Sequence, residues 1–184
     1  LPTFPAIQTA LAASNGGPLP NLAKYPGKNP PQWTLFVNAF QSGQQILLSG
    51  QHFPAGQGPG FYSNRDIAYV FAPTSRGFGQ LIVIHARAPT FPNTRPPSRT
   101  MPGGKQTRYF SFCQYDPLTE RVIACLPDDQ IAVDSQGFYT IVVSTPAQRP
   151  QNARASCGVS WLAWGPTTQG LLIYRQMLAA PSFT

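Results

Sequence analysis

Residues 108–129 read RYFSFCQYDPLTERVIACLPDD, and this stretch favours a β-hairpin. Two runs rich in β-branched and aromatic residues flank a turn that begins with Asp116 and Pro117. Asp followed by Pro is typical of a type I turn, because proline presets the backbone angle of the second turn position. Successive strand residues point to opposite faces, so Phe110 and Cys113 lie on different sides of the first strand. We therefore predict two antiparallel strands joined by a short turn.

The hairpin also bears on the three cysteines of the chain. Cys113 and Cys125 are nearly opposite each other if the connection has five residues, and a cross-strand disulfide is then geometrically possible. A one-residue change of register would remove this pairing. Three cysteines allow three single pairings, and the two alternatives join Cys157 to one of the others. We predict the pair Cys113 and Cys125 and leave the alternatives open.

Similar β-rich runs lie on both sides of the hairpin, from residue 33 to residue 177, and each is bounded by Gly, Pro, Asn or Asp. The runs are WTLFVNAF, QQILLSG, DIAYVFAP, GQLIVIHARAP, TRYFSFCQY, RVIACLP, GFYTIVVS, VSWLAWG and GLLIYRQM. No amphipathic helix of ten or more residues is evident. The pattern predicts an all-β fold, an antiparallel β-sandwich or jelly roll.

The 184 residues are most simply divided into an arm and one domain. Residues 1–32 are dominated by Pro, Gly, Asn and Ala, which favours an extended Pro-rich N-terminal arm. Apolar residues recur along it, so we expect the arm to pack on a β-sheet face of its own chain or of a neighbour. Residues 33–184 are predicted to form a single β-sandwich domain, since 42% of the chain is hydrophobic.

The charge of the chain is +7 and is unevenly distributed. Between Asp66 and Asp116 there is no acidic residue, but six basic ones: Arg76, Arg87, Arg95, Arg99, Lys105 and Arg108. We expect this segment to bind an anionic partner weakly, with a solvated basic loop as the alternative. Nucleic acid is not expected as a partner, because no recognisable binding module with exposed aromatic residues accompanies the charge.

Several features favour an oxidising compartment outside the cytoplasm. The chain begins LPTFPAI, without methionine, which suits a product from which a signal peptide has been removed, although a truncated chain would begin in the same way. Three cysteines are enough for one disulfide. The longest apolar run, LIVI at 81–84, is far shorter than the roughly 18 residues of a membrane span. We predict a secreted, periplasmic or cell-surface protein that does not span a membrane.

A metal site is not predicted. The chain does contain the ligand types of a Cys3His zinc site, namely Cys113, Cys125, Cys157 and either His52 or His85. The spacing argues against it, because the sequence has no C-x2-C or C-x4-C pair.

The sequence also contains few residues that could support catalysis. There is no G-x-S-x-G, C-x-x-C, H-E-x-x-H or phosphate-loop motif. A general acid–base pair would have to combine His52 or His85 with Asp66, Asp128, Asp129 or Asp134. Nothing in the sequence selects one of these pairs, so no catalytic residue and no cofactor are predicted.

Residues 157–166, CGVSWLAWGP, place two of the three tryptophans close together. We expect Trp161 in the core and Trp164 at the sheet edge, where the motif holds the last two strands together. A second interpretation makes the region the rim of a ligand pocket, because an aromatic ring beside a guanidinium group suits a sugar, a carboxylate or an aromatic ring. The rim residues would be Trp164, Tyr174, Arg175 and Arg108.

Residues 80–183 resemble a family of bacterial proteins. The segments that carry the resemblance are QLIVIHARAPTFP, RYFSFCQYDPLTERVIACLPDDQ, GFYTIVVSTPAQRPQNA, CGVSWLAWGP and GLLIYRQML. They resemble an uncharacterised family of exported bacterial proteins, in which Trp stands at the position of Phe110 and Pro at that of Ala163. More loosely, they are similar to the C-terminal β-sandwich domain of unknown function in two-domain bacterial envelope proteins. The resemblance includes all three cysteine positions and implies export, but no reaction.

Three functions are compatible with these observations. The first is a non-catalytic exported binding or structural module, including a subunit of a larger extracellular or envelope assembly, with a protein partner or self-assembly. The second is a hydrolase or isomerase that uses a His/Asp pair. The third is a carrier of a small apolar ligand. Because one β-sandwich architecture can host all three, the fold does not choose between them, and the sparse catalytic residues favour the first.

Overall fold

In the computed structural model, the described residues are 29–36, 67–92, 103–117, 119, 121–180 and 183. They form eight strands in two sheets, together with three single-turn 3-10 helices. The strands are β1 (Thr34–Phe36), β2 (Ile67–Ser75), β3 (Leu81–Arg87), β4 (Tyr109–Tyr115), β5 (Val122–Pro127), β6 (Phe138–Ser144), β7 (Val159–Ala163) and β8 (Gln169–Met177). The 3-10 helices are Asp128–Gln130, Pro146–Gln148 and Ala155–Cys157. The prediction of an all-β fold is confirmed.

The first sheet has five strands in the order β1-β2-β8-β4-β5, and all neighbours are antiparallel. Its β4–β5 pair is the predicted hairpin. Cys113 lies directly opposite Cys125, and the two form a disulfide. The turn is closed by a hydrogen bond from the Asp116 amide to the Arg121 carbonyl, and the Asp116 carboxylate accepts the amide of Thr119. The predicted disulfide pairing is therefore confirmed.

The second sheet has three strands in the order β3-β6-β7. β3 and β6 are antiparallel, but β6 and β7 are parallel, which differs from the fully antiparallel arrangement that we predicted. The reason lies in residues 145–158, which follow β6 and include the 3-10 helices Pro146–Gln148 and Ala155–Cys157. A parallel pair needs a connection of roughly a dozen residues or more to return to the same end of the sheet. This segment has the necessary length.

The buried core takes side chains from both sheets. Phe110 and Phe112 of β4 contact Tyr139 of β6, with ring centroids 6.4 Å and 5.5 Å apart. The other buried members of this cluster are Leu126, Ile131, Ile141, Val143, Leu162, Trp164 and Leu172. Large apolar side chains of this kind contribute about 1.5–3 kcal/mol each when fully buried. The period-2 alternation of each strand thus directs one face of each sheet to a shared core.

Several sequence-based predictions fall outside the described residues. Residues 1–28 of the predicted arm are among them, as are His52, Asp66, Arg95 and Arg99. In the part of the chain that is described, no helix has the length and apolar character needed to cross a membrane.

Candidate functional site

The two tryptophans of CGVSWLAWGP exchange the places that we expected. Trp164 is 1% exposed and belongs to the core cluster, whereas Trp161 is half-buried on the other face of β7. Ser160 and Leu162 are the buried positions of β7, and the same alternation continues to Trp164. The Trp164 amide still donates to the Ser144 carbonyl of β6, so the residue extends the sheet pattern beyond the strand.

The structure places the predicted rim residues of β8 on different faces. Tyr174 packs against Phe112, with ring centroids 4.8 Å apart, and its hydroxyl accepts a hydrogen bond from Gln176 Nε2. Burial raises the pKa of the Tyr174 hydroxyl. Arg175, the next residue, points to the opposite face, where Nη2 donates to the Tyr115 hydroxyl and the guanidinium lies 5.1 Å from the centre of the Tyr69 ring. Trp164 and Tyr174 thus face the core, and Arg175 does not.

The described members of the basic segment are spread over several elements. Arg76 follows β2 and donates from Nη2 to the Pro166 carbonyl. Arg87 ends β3 and is exposed. Lys105 and Arg108 are half-buried; between them the Gln106 amide donates to the Thr90 carbonyl, and the Arg108 amide donates to the Met177 carbonyl. Binding of an anion by this segment stays a prediction.

The face of the three-stranded sheet that points away from the core is rich in apolar and aromatic side chains. We call this surface the outer platform and define it by Leu81, Val83, His85, Phe138 and Trp161. Val83 is 56% exposed and Leu81 40%. His85 stacks on Phe138 with ring centroids 5.4 Å apart and planes 10° apart, and its Nδ1 lies 2.9 Å from the Thr140 hydroxyl. The rings of the platform are therefore held in fixed orientations.

Trp161 is fixed by two further contacts. Its Nε1 donates to the Ser144 hydroxyl, and the Arg149 guanidinium lies 4.5 Å from the ring centre. Arg149 is itself held, because Nε and Nη2 both donate to the Ala153 carbonyl. Such a cation–π contact stabilises by about 0.5–1 kcal/mol at an exposed site. No local sequence signal joins residues 149 and 161, so this pair was not predicted, whereas the period-2 pattern of LIVIHAR could have revealed the exposed side of β3.

Cys157 is the third cysteine, and it is exposed and outside any disulfide. It ends the 3-10 helix Ala155–Cys157, and the next residue, Gly158, takes a left-handed conformation with φ of 69° that glycine adopts without strain. Arg154 Nε donates to the sulfur at 3.3 Å, and this hydrogen bond lowers the pKa of the Cys157 thiol. The side chain is thus a thiol with enhanced thiolate character.

The residues considered for catalysis or metal binding do not assemble in the described part of the chain. Among the described residues, His85 contacts Thr140 and Phe138, neither of which carries a carboxylate. Asp134 lies in the turn before β6, where its Oδ1 accepts the amides of Gln136 and Phe138. Within the described ranges, no group of three His, Cys, Asp or Glu side chains is arranged to hold a metal ion.

Solved structures that are similar to this chain include the following two. One is an uncharacterised protein of Burkholderia cenocepacia, with 16% identity and a TM-score of 0.47; the match covers 66% of this chain and 29% of that protein. The other is a protein of Vibrio parahaemolyticus, with 14% identity and a TM-score of 0.42; this match covers 64% and 27% of the two chains. The chain thus spans less than a third of the length of either. No protein-family model and no curated protein sequence matches it.

Proposed function

We propose that this chain is a non-catalytic exported binding module that takes a protein partner on the outer platform. The observation that carries the proposal is the exposure of Val83 and Leu81 beside the fixed rings of His85 and Phe138. An apolar surface with oriented aromatic side chains is typical of protein interfaces, in which aromatic residues and arginine are enriched. Fixed side chains also lose little rotamer entropy when a partner binds.

The proposal includes the architecture that presents this surface. We infer that the two sheets form a β-sandwich over residues 33–184 and that the Pro-rich arm, residues 1–32, packs on a sheet face. The outer platform would then be the solvent side of the smaller sheet. The predicted ligand rim of Trp164, Tyr174, Arg175 and Arg108 stays a separate prediction.

A secreted, periplasmic or cell-surface location completes the proposal. The Cys113–Cys125 disulfide fits an oxidising compartment, because cytosolic thiols are kept reduced. The resemblance of residues 80–183 to exported bacterial proteins supports the same compartment. Together these features favour an extracellular or envelope assembly as the setting in which the partner is met.

Site-directed photocrosslinking tests the proposal. A photoreactive phenylalanine analogue replaces Val83 in one variant and Val122 in another, each expressed in the organism that encodes the protein. Val122 is a matched control because it is 48% exposed and also lies on a strand at the edge of a sheet. We expect irradiation of intact cells to give a discrete protein adduct at position 83 and none at position 122. Absence of an adduct at both positions, or identical adducts at both, would contradict a partner site on the outer platform.

A further inference from the structure

This inference starts from the edge of β3 that no described strand covers, which we call the open edge. In the three-stranded sheet, β6 is the only described strand that pairs with β3. The Ala88 amide donates to the Gly137 carbonyl, which sets the phase of the ladder. In an antiparallel pair the backbone groups of alternate residues point to opposite sides. The amides and carbonyls of Ile82, Ile84 and Ala86 therefore face β6, whereas those of Leu81, Val83, His85 and Arg87 face the open edge.

β3 also lacks several of the features by which proteins protect sheet edges. Its seven residues, LIVIHAR, pair with β6 without a register shift and contain no proline and no lysine. Edge strands are usually shortened, bulged, interrupted by proline or covered, because an open ladder pairs readily with another chain. A regular, apolar edge with exposed Leu81 and Val83 is what a site for strand addition requires.

The other described edges are protected in these ways. The described part of β1 is short, with three residues. β5 ends in Pro127, and Ile123 is an extra residue without an opposite partner, because Val122 pairs with Tyr115 and Ala124 with Gln114. β7 lies beside β5 of the other sheet, with Cα atoms within 8 Å, and its Ser160 hydroxyl accepts the Ala132 amide. Of the described strands at sheet edges, β3 alone is long, regular and open.

Charge indicates the kind of strand that would fit. The strands of the three-stranded sheet and the connection at residues 145–158 contain Arg87, Arg149 and Arg154 but no acidic residue. The nearest acidic residue in sequence, Asp134, has Oδ1 occupied by backbone amides. The whole chain carries +7, so a second copy would be repelled, whereas an acidic segment would be attracted.

We propose that an extended, acidic segment of a partner protein adds to β3 as a fourth strand of this sheet. The backbone of this segment forms hydrogen bonds with the backbone of Leu81, Val83, His85 and Arg87. Its apolar side chains lie beside the outer platform. A carboxylate near one end of the segment approaches Arg87, the basic residue of β3. This inference rests on the proposed function, because it names the binding mode and the chemistry of the same partner.

The test uses the full chain and a fluorescent heptapeptide of alternating valine and glutamate as the probe. We expect fluorescence anisotropy to show binding that weakens as salt increases, since screening reduces charge attraction. The peptide in which lysine replaces glutamate should bind at least tenfold more weakly. Hydrogen exchange should show that the amides of Leu81, Val83, His85 and Arg87 gain protection in the complex. Equal binding of both peptides would overturn the acidic partner, and unchanged exchange of these four amides would overturn strand addition.

The matched variants are Val83→Pro and Val83→Ala. Proline removes an amide that faces the open edge while the bonds to β6 remain, and alanine removes only the side chain. We expect Val83→Pro to weaken peptide binding by about tenfold, the loss of roughly one hydrogen bond, and by more than Val83→Ala does. Equal losses of peptide affinity in the two variants would show that the Val83 amide does not take part in binding. Should Val83→Pro fail to fold, N-methylation of alternate peptide residues removes the same bonds from the partner side, and methylated peptides that bind unchanged would contradict strand addition.

Photocrosslinking separates this inference from the proposed function. A specific adduct at position 83 together with no binding of the acidic peptide would overturn strand addition and leave a protein partner on the outer platform. Absence of both would overturn the two proposals together.

Discussion

Gly170 of β8 lies so close to Gln114 of β4 that a Cβ atom on Gly170 would overlap the Gln114 carboxamide. The hydroxyl of Thr74, directly opposite Gly170 in the β2–β8 register, would be 2.9 Å from the same atom. Gln114 and Thr74 are both fully buried, with 0% and 1% of their surface exposed. The missing side chain of Gly170 therefore makes room for two polar side chains inside the five-stranded sheet.

Replacing Gly170 with Ala should lower the free energy of unfolding by about 1–3 kcal/mol, because overpacking a buried site forces its neighbours to move. Chemical denaturation measures the change. Gly103→Ala is the control, since nothing lies within 4 Å of a Cβ at that position. The cost of Gly170→Ala should fall in a Gln114→Ala background, as expected for two groups in direct contact. Additive effects of the two substitutions would show that the predicted overlap is not the cause.

Removal of the Cys113–Cys125 disulfide should cost about 2–4 kcal/mol of stability. The double variant Cys113→Ala/Cys125→Ala tests this by denaturation under non-reducing conditions. Cys157→Ala is the control and should change the unfolding free energy by about 0.5 kcal/mol or less, because the side chain is exposed and unbridged. Peptide mapping of the oxidised protein should find one bridge, and a bridge that includes Cys157 would contradict the prediction.

The Cys157 thiol should react with iodoacetamide at lower pH than an ordinary exposed cysteine. Thiolate is the reactive form, and the Arg154 hydrogen bond lowers the pKa of this thiol. Arg154→Ala should therefore shift the midpoint of the rate–pH profile upward, whereas Arg121→Ala, at another exposed arginine, should not shift it. A midpoint that does not change in Arg154→Ala would show that the guanidinium does not stabilise the thiolate.

Stability should decrease at alkaline pH because of Tyr139. Burial raises the pKa of its hydroxyl well above the ordinary value of 10.0, and the neighbouring Tyr174 adds to the shift. Below pH 10 the group keeps its proton in both states; above it, the unfolded chain releases a proton that the folded protein retains. The free energy of unfolding then falls with pH by up to about 1.4 kcal/mol per unit for this residue.

Tyr139→Phe should make the alkaline decrease shallower while keeping the buried ring. Denaturation curves between pH 8 and roughly pH 11 for the two proteins give the comparison. The same slope in both proteins would show that Tyr139 does not retain its proton in the folded state.

Local sequence patterns predicted the strands and the hairpin because their causes are local. The Asp116-Pro117 turn and the alternation of β4 place Cys113 opposite Cys125 within one supersecondary unit. The expected places of Trp161 and Trp164 were wrong, because alternation shows which residues share a face of β7 but not which face meets the core.

The candidate site was less accessible to sequence reasoning. The outer platform forms because β3 pairs with β6 and β6 pairs with β7, which are contacts between distant segments. The cation–π contact of Arg149 with Trp161 depends on the connection at residues 145–158 between the parallel strands β6 and β7, and no short sequence motif predicts that connection. His85 and its stacking on Phe138 likewise depend on the β3–β6 register. Long-range pairing decided where these residues meet, and a single sequence contains no direct signal for it.

The position of β8 has a consequence for the time at which the larger sheet can form. β8 lies between β2 and β4, yet it is synthesised after every other strand of that sheet. β2 and its neighbour β1 cannot join β4 and β5 until residues 169–177 have emerged, since β8 supplies the ladder on both sides. The entropy cost of closing the long loops comes before the distant strands make stabilising contacts, and this slows the formation of such sheets. The larger sheet should therefore stay divided into a β1–β2 pair and a β4–β5 pair until residues 169–177 have been synthesised.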